Sequence, residues 1–592
     1  MKSAHSASSF HSSSHTAAHA LACLLLRCAT PIATPAQSTD PSQQVIEHIH
    51  GVVINAVDKK PVARALVSSS DQRMAIMTDS DGRFTFDIHH PATNSPSGMD
   101  SMFSMGISGP MSGASQIRTA LMARRPGYLV LNTVLRLPPD PKSASEDIQL
   151  KLIPECTIRG HLSIPNGAPA GLQVQLRRRQ VQDGVAVWAQ TGAAQTNSHG
   201  DYRFAELPAG DYKLMTQAWS DRSSTQTSAS DESSGYAPAY YADTADLASS
   251  PPIHLATGEA IEADLNPRAV TLYHVTIPLP NVAKGSGVGV TVGDLNELSG
   301  YFLGFNSQTQ RIEGFLPNGA FDIHVNSFGQ AQTSGFGRVE VAGRPVKAPP
   351  ITLLPNGQIS VIVRQDFTAN DTPGTGSSAF TPIQAALRRR PVEVFLRPVG
   401  SQGSPSANLN NSEDENDNTL VLDNVQQGTY RVVATPHRGY VASMTSDGVD
   451  LMRQPLVVGP GGASQPINIT LRDDAASLTG SLSLPSPTAT PSDPDTGFVV
   501  TCIPLENGLA TPAPQMNGFG AKFTIPNLAP GQYLVLATSM SLSNVSFRSI
   551  EYLNPDVLRN YESKGTVVTL TPGQKAEIQV PLLPASESES EN

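Results

Sequence analysis

Gly200-Asp201-Tyr202-Arg203-Phe204, followed by Leu207-Pro208-Ala209-Gly210-Asp211-Tyr212, reads as a strand, a turn of small residues and a second strand that opens on an aromatic. Related stretches are Gly82-Arg83-Phe84-Thr85-Phe86, Gly314-Phe315-Leu316-Pro317-Asn318-Gly319-Ala320-Phe321, Leu422-Asp423-Asn424-Val425-Gln426-Gln427-Gly428-Thr429-Tyr430 and Phe523-Thr524-Ile525-Pro526-Asn527-Leu528-Ala529-Pro530-Gly531-Gln532-Tyr533. The turn glycines Gly210, Gly319, Gly428 and Gly531 lie 109, 109 and 103 residues apart. That period matches one β-sandwich domain and is several times longer than a solenoid repeat. The chain is therefore expected to be a string of like modules. In each, the turn glycine and the following aromatic fix the register of a hairpin over a small separate core.

Composition agrees. The 592 residues are too many for one core. With 48 prolines and 47 glycines the chain is punctuated too densely for long helices. The expected fold class is all-β, as tandem Ig-like or transthyretin-like β-sandwich modules in an extended or semi-compact chain. A net charge of −11 with no basic face argues against a nucleic-acid partner. The basic triplets Arg177-Arg178-Arg179 and Arg388-Arg389-Arg390 each border a strand-like run and read as solvated edges that resist strand pairing. Residues 1–36, with the apolar run Ala20-Leu21-Ala22-Cys23-Leu24-Leu25-Leu26 and the small-residue stretch Ala33-Thr34-Pro35-Ala36, read as a signal peptide. The expected location is periplasmic, outer-envelope associated or secreted, and no later segment is apolar enough to span a bilayer. Cys156 and Cys502, one in each of two modules, read as isolated thiols.

Module one opens with Gly51-Val52-Val53, where the glycine suggests a bulge or bend, and continues through Pro61-Val62-Ala63-Arg64-Ala65-Leu66-Val67 to Thr78-Asp79-Ser80-Asp81-Gly82-Arg83-Phe84. Together with the later Arg124-Arg125-Pro126-Gly127-Tyr128, this resembles the carboxypeptidase regulatory-like domain. The resemblance implies a transthyretin-like (prealbumin-like) sandwich of about seven strands. It covers 45–153 well and 154–266 fairly; later modules share the turn chemistry alone. The expected boundaries are regulatory-like sandwiches at 45–153 and 154–266, β-sandwiches at 267–355, 356–472 and 476–584, and an acidic tail at 585–592. Module one carries a Met-rich insertion between Pro91 and Gln116, and module four a polar one from Ser401 to Asn418. The tract Ser220–Gly235 reads as a loop or linker.

The resemblance specifies a fold and no chemistry. The peptidase catalytic domain is not in this chain, and His-Glu-x-x-His, Gly-x-Ser-x-Gly and phosphate-loop patterns are missing. No cofactor is expected. His48 and His50 share one face of a strand but lack a further ligand nearby, and Asp79-Ser80-Asp81-Gly82 reads as a turn rather than a calcium loop. The weak calcium candidate is Glu413, Asp414, Glu415 and Asp417. The ligand-binding candidates are Trp188, Trp219, Tyr236, Tyr240 and Tyr241, all assigned to module two. Exposed together they form a sugar-stacking platform; buried, they are core. The functional expectation is a non-catalytic exported adhesion, scaffold or binding protein whose partner is a protein or polysaccharide at the cell surface. Alternatives are carbohydrate binding through the module-two aromatics and an accessory role to an extracellular peptidase.

Overall fold

The computed structural model describes residues 45–69, 74–90, 120–129, 135–136, 148–164, 170–220, 232–283, 285–293, 300–329, 332–368, 391–399, 408–411, 420–462, 464–483, 496–506, 512–518, 521–541 and 550–583. The leader, the Met-rich insertion, the acidic run 412–418, Arg388-Arg389-Arg390, the tail and the side chain of His48 lie outside them. Residues 1–47 and 87–109 form one unit, described only at 45–47 and 87–90, and residues 48–86 and 110–592 form the other.

The larger unit is all-β in tandem sandwiches, and one construction recurs five times. A first strand pairs in parallel with a strand from the C-terminal end of its own sandwich. The pairs are Gly51–Asn55 with Ile148–Leu152, Thr157–Arg159 with Ala260–Glu262, Val275–Thr276 with Val346–Lys347, Val361–Asp366 with Ile467–Arg472, and Ser477–Ser483 with Lys575–Pro581. In the last four the other flank of the first strand takes the strand before the repeated turn, antiparallel: Asp201–Leu207, Arg311–Leu316, Leu420–Val425 and Lys522–Leu528. The glycine in the first strand lets an aromatic side chain close over the backbone. A Cβ at Gly51 would stand 2.8 Å from the Phe84 ring, and one at Gly160 would stand 2.7 Å from the Tyr202 hydroxyl. Gly51 thus marks a close approach within a regular parallel ladder, where a bulge was expected.

The repeated turn joins two sheets rather than two strands of one hairpin. Asp201–Leu207 belongs to the sheet built on Cys156–His161, whereas Gly210–Thr216 belongs to the facing sheet with Gln173–Gln182, Val185–Gln195 and Ile253–Leu255. The crossings before Gly319–Phe328 and Gly428–Pro436 change sheet in the same way. A crossing of this kind must reverse which side of the chain faces the core, and a special backbone conformation does it. Gly210, Gly319 and Gly531 have φ of 144°, 147° and 151°. The aromatic two residues later secures the crossing. The hydroxyls of Tyr212, Tyr430 and Tyr533 donate to the carbonyls of Pro208, Gln426 and Ala529 at 2.5, 2.9 and 2.8 Å, a tyrosine corner in each case. In the third sandwich Phe321 stands there and makes no such bond.

Alternating residues of the facing sheets fill each core, as with Ile158, Leu176, Tyr212 and Leu265 in the second, and Val361, Val394, Val432 and Ile469 in the fourth. Sheet membership also crosses the boundary suggested at 266/267. Glu232–Tyr236 pairs onto Ala269–Pro278 and Trp219–Ser220 onto Glu232–Tyr236, extending the third sandwich's sheet, so the end of the polar tract is a strand. Thr78 braces the first sandwich by donating to Val62 O (2.7 Å) and accepting from Ala65 N (2.8 Å). The Asp79 carboxylate accepts from the N–H groups of Asp81 and Arg83 at 2.9 and 2.8 Å, which closes the expected turn.

Cys156 and Cys502 are free and buried, and burial pushes the Cys502 thiol up to about 12. Both should resist a water-soluble disulfide reagent in the native protein and react after denaturation; rapid native labelling of either contradicts this packing. Tyr533→Phe removes a hydroxyl with a single backbone partner and should cost about 1 kcal/mol. Calorimetric or denaturant unfolding of the fifth sandwich checks it, with an unchanged transition as the contrary result.

Candidate functional site

The five aromatic candidates separate into two groups. Trp219 and Tyr236 are cross-strand partners and stack at 4.7 Å with planes 21° apart, on the sheet of the third sandwich. Tyr236 is 3% exposed and Tyr240 6%, so neither turns a ring face to solvent. Tyr241 is half-buried against the second core and opens a tight turn, Tyr241–Asp243, in which Ala242 and Asp243 take φ of 61° and 54°. Trp188 is half-buried on Val185–Gln195, with the Lys213 ammonium 4.7 Å from its ring centre. The structure does not bring the five rings together. What it gathers around Trp188 is charge.

Arg177 and Lys213 are cross-strand neighbours on Gln173–Gln182 and Gly210–Thr216, and they are only 6% and 5% exposed. The expectation that Arg177-Arg178-Arg179 marks a solvated edge is corrected here. Gln173–Gln182 lies inside its sheet, flanked by Val185–Gln195 and Gly210–Thr216. The segment from Ala239 to Ser250 folds over its outer side: Ala239 bonds to Thr216, Tyr240 bridges to Met215, and the Leu247 and Ala248 carbonyls accept from Lys213 Nζ at 2.7 and 3.1 Å. Burial makes Arg177 less willing to hold its charge, with Tyr240 acting in the opposite sense.

The second concentration of charge lies at the tip of the same hairpin. Asp183 and Gly184 turn the chain with φ of 48° and 80°, the conformation for which an Asp-Gly pair is suited. Arg397 and Arg431, cross-strand partners in the fourth sandwich, both reach the Asp183 carboxylate, at 2.7 and 3.4 Å, and Arg431 Nη1 also donates to the Asp183 carbonyl at 2.9 Å. The fifth sandwich closes on the same tip. Leu553 N donates to Gly184 O at 3.0 Å, Arg179 pairs with Glu551, and the Tyr552 ring lies where any Cβ on Gly184 would fall, 2.5 Å away. Asn554 caps the helix Pro555–Glu562 behind it, accepting from Asp556 N at 3.1 Å. Ile550, Tyr552 and Tyr561 seat this segment on Ile503, Leu534 and Leu536, a second apolar cluster of the fifth sandwich.

Two like charges directly opposite on adjacent strands repel, and Asp183 supplies the neutralising charge from a module more than 200 residues earlier. Sequence reading missed Asp183, Arg397, Arg431 and Glu551, and it misread Arg177. The available signal was a cation within an apolar strand run, as in Tyr212-Lys213-Leu214-Met215 and Val394-Phe395-Leu396-Arg397, in a chain only 15% charged. Among the described residues no group of three or more His, Cys, Asp or Glu side chains converges as a metal site, and no helix is long and apolar enough to cross a membrane.

No protein-family model matches the chain, and no curated protein matches it. Solved structures similar to it include a streptococcal ancillary pilin (12% identity, 54% of this chain and 99% of that one, TM-score 0.17). The major pilin subunit of Bacillus cereus is similar at 7% identity over 72% of this chain and 99% of its own, TM-score 0.14. Two B repeat units of the Staphylococcus aureus collagen binding protein match at 12% identity over 66% and 94%, TM-score 0.12. At these values the likenesses carry no functional inference.

Asp183→Ala leaves Arg397 and Arg431 opposed and half-buried without their carboxylate. It should weaken the docking of the hairpin by roughly 2–4 kcal/mol. Amide exchange at 179–184 and 550–553 should rise together while the cores stay protected; unchanged protection would show that the ion pairs do not hold the junction.

Proposed function

We propose that this chain is an exported, non-catalytic protein of the bacterial cell envelope that acts as a scaffold, adhesion or binding element, with its first two sandwiches of the carboxypeptidase regulatory-like kind. The observation that carries this reading is the Asp183 junction. Charged residues are scarce, and the best-organised described cluster of them, Arg179, Asp183, Arg397, Arg431 and Glu551, ties three sandwiches to one another. Catalysis needs polar groups converging on a space a substrate can occupy. Here the charged groups are paired across module boundaries, Arg179 with Glu551 and Asp183 with Arg397 and Arg431. A scaffold needs such joints, because its binding surfaces act together only if the modules hold fixed positions.

The leader and the scaffold role are testable together. Expressed with residues 1–36 in a Gram-negative host, the protein should fractionate with the periplasm or envelope, and a form lacking them should remain cytoplasmic. The purified exported protein should retain envelope polysaccharide or protein in a pull-down and show no turnover on a panel of peptides and glycosides. Cytoplasmic retention of the full chain, or saturable hydrolysis by it, overturns the reading.

A further inference from the structure

Among the described residues the Arg177 guanidinium is the most unusual buried group. Its Nη1 donates to the Trp188 carbonyl at 3.1 Å, while Nε and Nη2 are fully buried and meet no acceptor. Those two nitrogens form the side-on edge of the guanidinium, where two parallel N–H groups match two oxygens of a carboxylate or phosphate. Lys213, its direct cross-strand neighbour, adds a second positive charge to the same place. Leaving charged donors buried and unmet is costly, and folded proteins almost never do so without a partner.

The groups around the pair do not supply that partner. Tyr240 is an electrostatic neighbour of Arg177, and neither Arg177 Nε nor Nη2 bonds to it. Asp246 feels the charge of Lys213, but its Oδ1 is held by Ser249 N and Oγ at 2.7 and 2.6 Å, and it makes no bond to Arg177 Nε or Nη2. Gln175, two residues before Arg177 on the same strand face, is also buried, and its Oε1 has no donor. Turned over, that amide would offer two N–H groups to the same spot. Every unmet group here therefore accommodates an incoming acceptor that bears negative charge. The 239–250 segment covers the place, and its consecutive left-handed non-glycine residues, Ala242 and Asp243, set it apart from an ordinary loop.

We propose that the second sandwich binds an oxyanion, a carboxylate or a phosphate-type group, between the strands bearing Arg177 and Lys213 and the covering 239–250 segment, with Arg177 Nε and Nη2 as the bidentate donor and Lys213 as the second cation. This site is independent of the Asp183 junction and of the scaffold reading. Trp188 and Trp219 are the two tryptophans of the chain, so emission from Trp188, packed on Lys213, reports on it.

The full chain is titrated with sodium phosphate, sulfate, acetate and galacturonate, each against sodium chloride at matched ionic strength, following tryptophan emission and thermal unfolding. The expected result is a saturable emission change and a rise in the unfolding temperature of the second sandwich with at least one of these anions. The oxygen geometry preferred separates carboxylate from tetrahedral anions. Arg177→Met should fold, since it removes an unmet buried charge, and should weaken the response at least about tenfold. Arg177→Lys keeps the charge without the fork and should weaken it comparably, which covers the case in which the methionine variant does not fold. Lys213→Met should weaken it as well. A wild-type response no greater than that of chloride, or an equal response in the folded Arg177 variants, overturns the proposal.

Discussion

A tyrosine hydroxyl bonded to the carbonyl four residues behind it holds this chain at the point where it leaves one sheet for the other. The bond does more than satisfy two polar groups. It fixes the angle of the crossing, and that angle decides which alternate residues of the next strand face inward. In the second sandwich Tyr212 and Leu214 then fill the core, and Lys213 is turned outward beside Arg177. The buried cation pair is thus a consequence of the corner. Where Phe321 replaces the tyrosine, packing against Tyr301 at 5.5 Å takes the place of the hydrogen bond.

Much of this architecture was legible in the sequence because it rests on local chemistry. Turn glycines, the aromatic two residues on and the domain-length period point to the fold class. The crossing itself reads as a hairpin turn in the sequence, because a glycine and an aromatic mark both kinds of turn equally well. Which sheet the second strand joins is decided by partners up to 45 residues away. The Arg177 triplet misleads for a similar reason: three arginines in a row look solvated until a distant loop, 239–250, is laid over the first and Glu551 pairs with the third. The Asp183 junction has no local signature beyond an Asp-Gly turn, since its meaning comes from two other sandwiches.

The two charged clusters on the one hairpin solve the same electrostatic problem differently. At the tip, the paired arginines of the fourth sandwich receive a carboxylate from within the chain. At the base, Arg177 and Lys213 sit side by side with carbonyls and a ring for company, and the fork of Arg177 is left open. Cations are scarce in this chain and its net charge is −11. Placed together in the interior, the two are screened little from each other.

The parallel pairing of first and last strands has a mechanical consequence. Two neighbouring strands that run the same way bring the chain in at one end of a sandwich and let it out at the other. Tension applied along the chain then pulls these strands past each other lengthwise. All the hydrogen bonds between them are loaded together, so they cannot open one at a time from an end. The ladder spans Ser477–Ser483 in the fifth sandwich and Val275–Thr276 in the third. The shorter ladder of the third sandwich, whose corner also lacks its hydroxyl, therefore resists such a load less than that of the fifth.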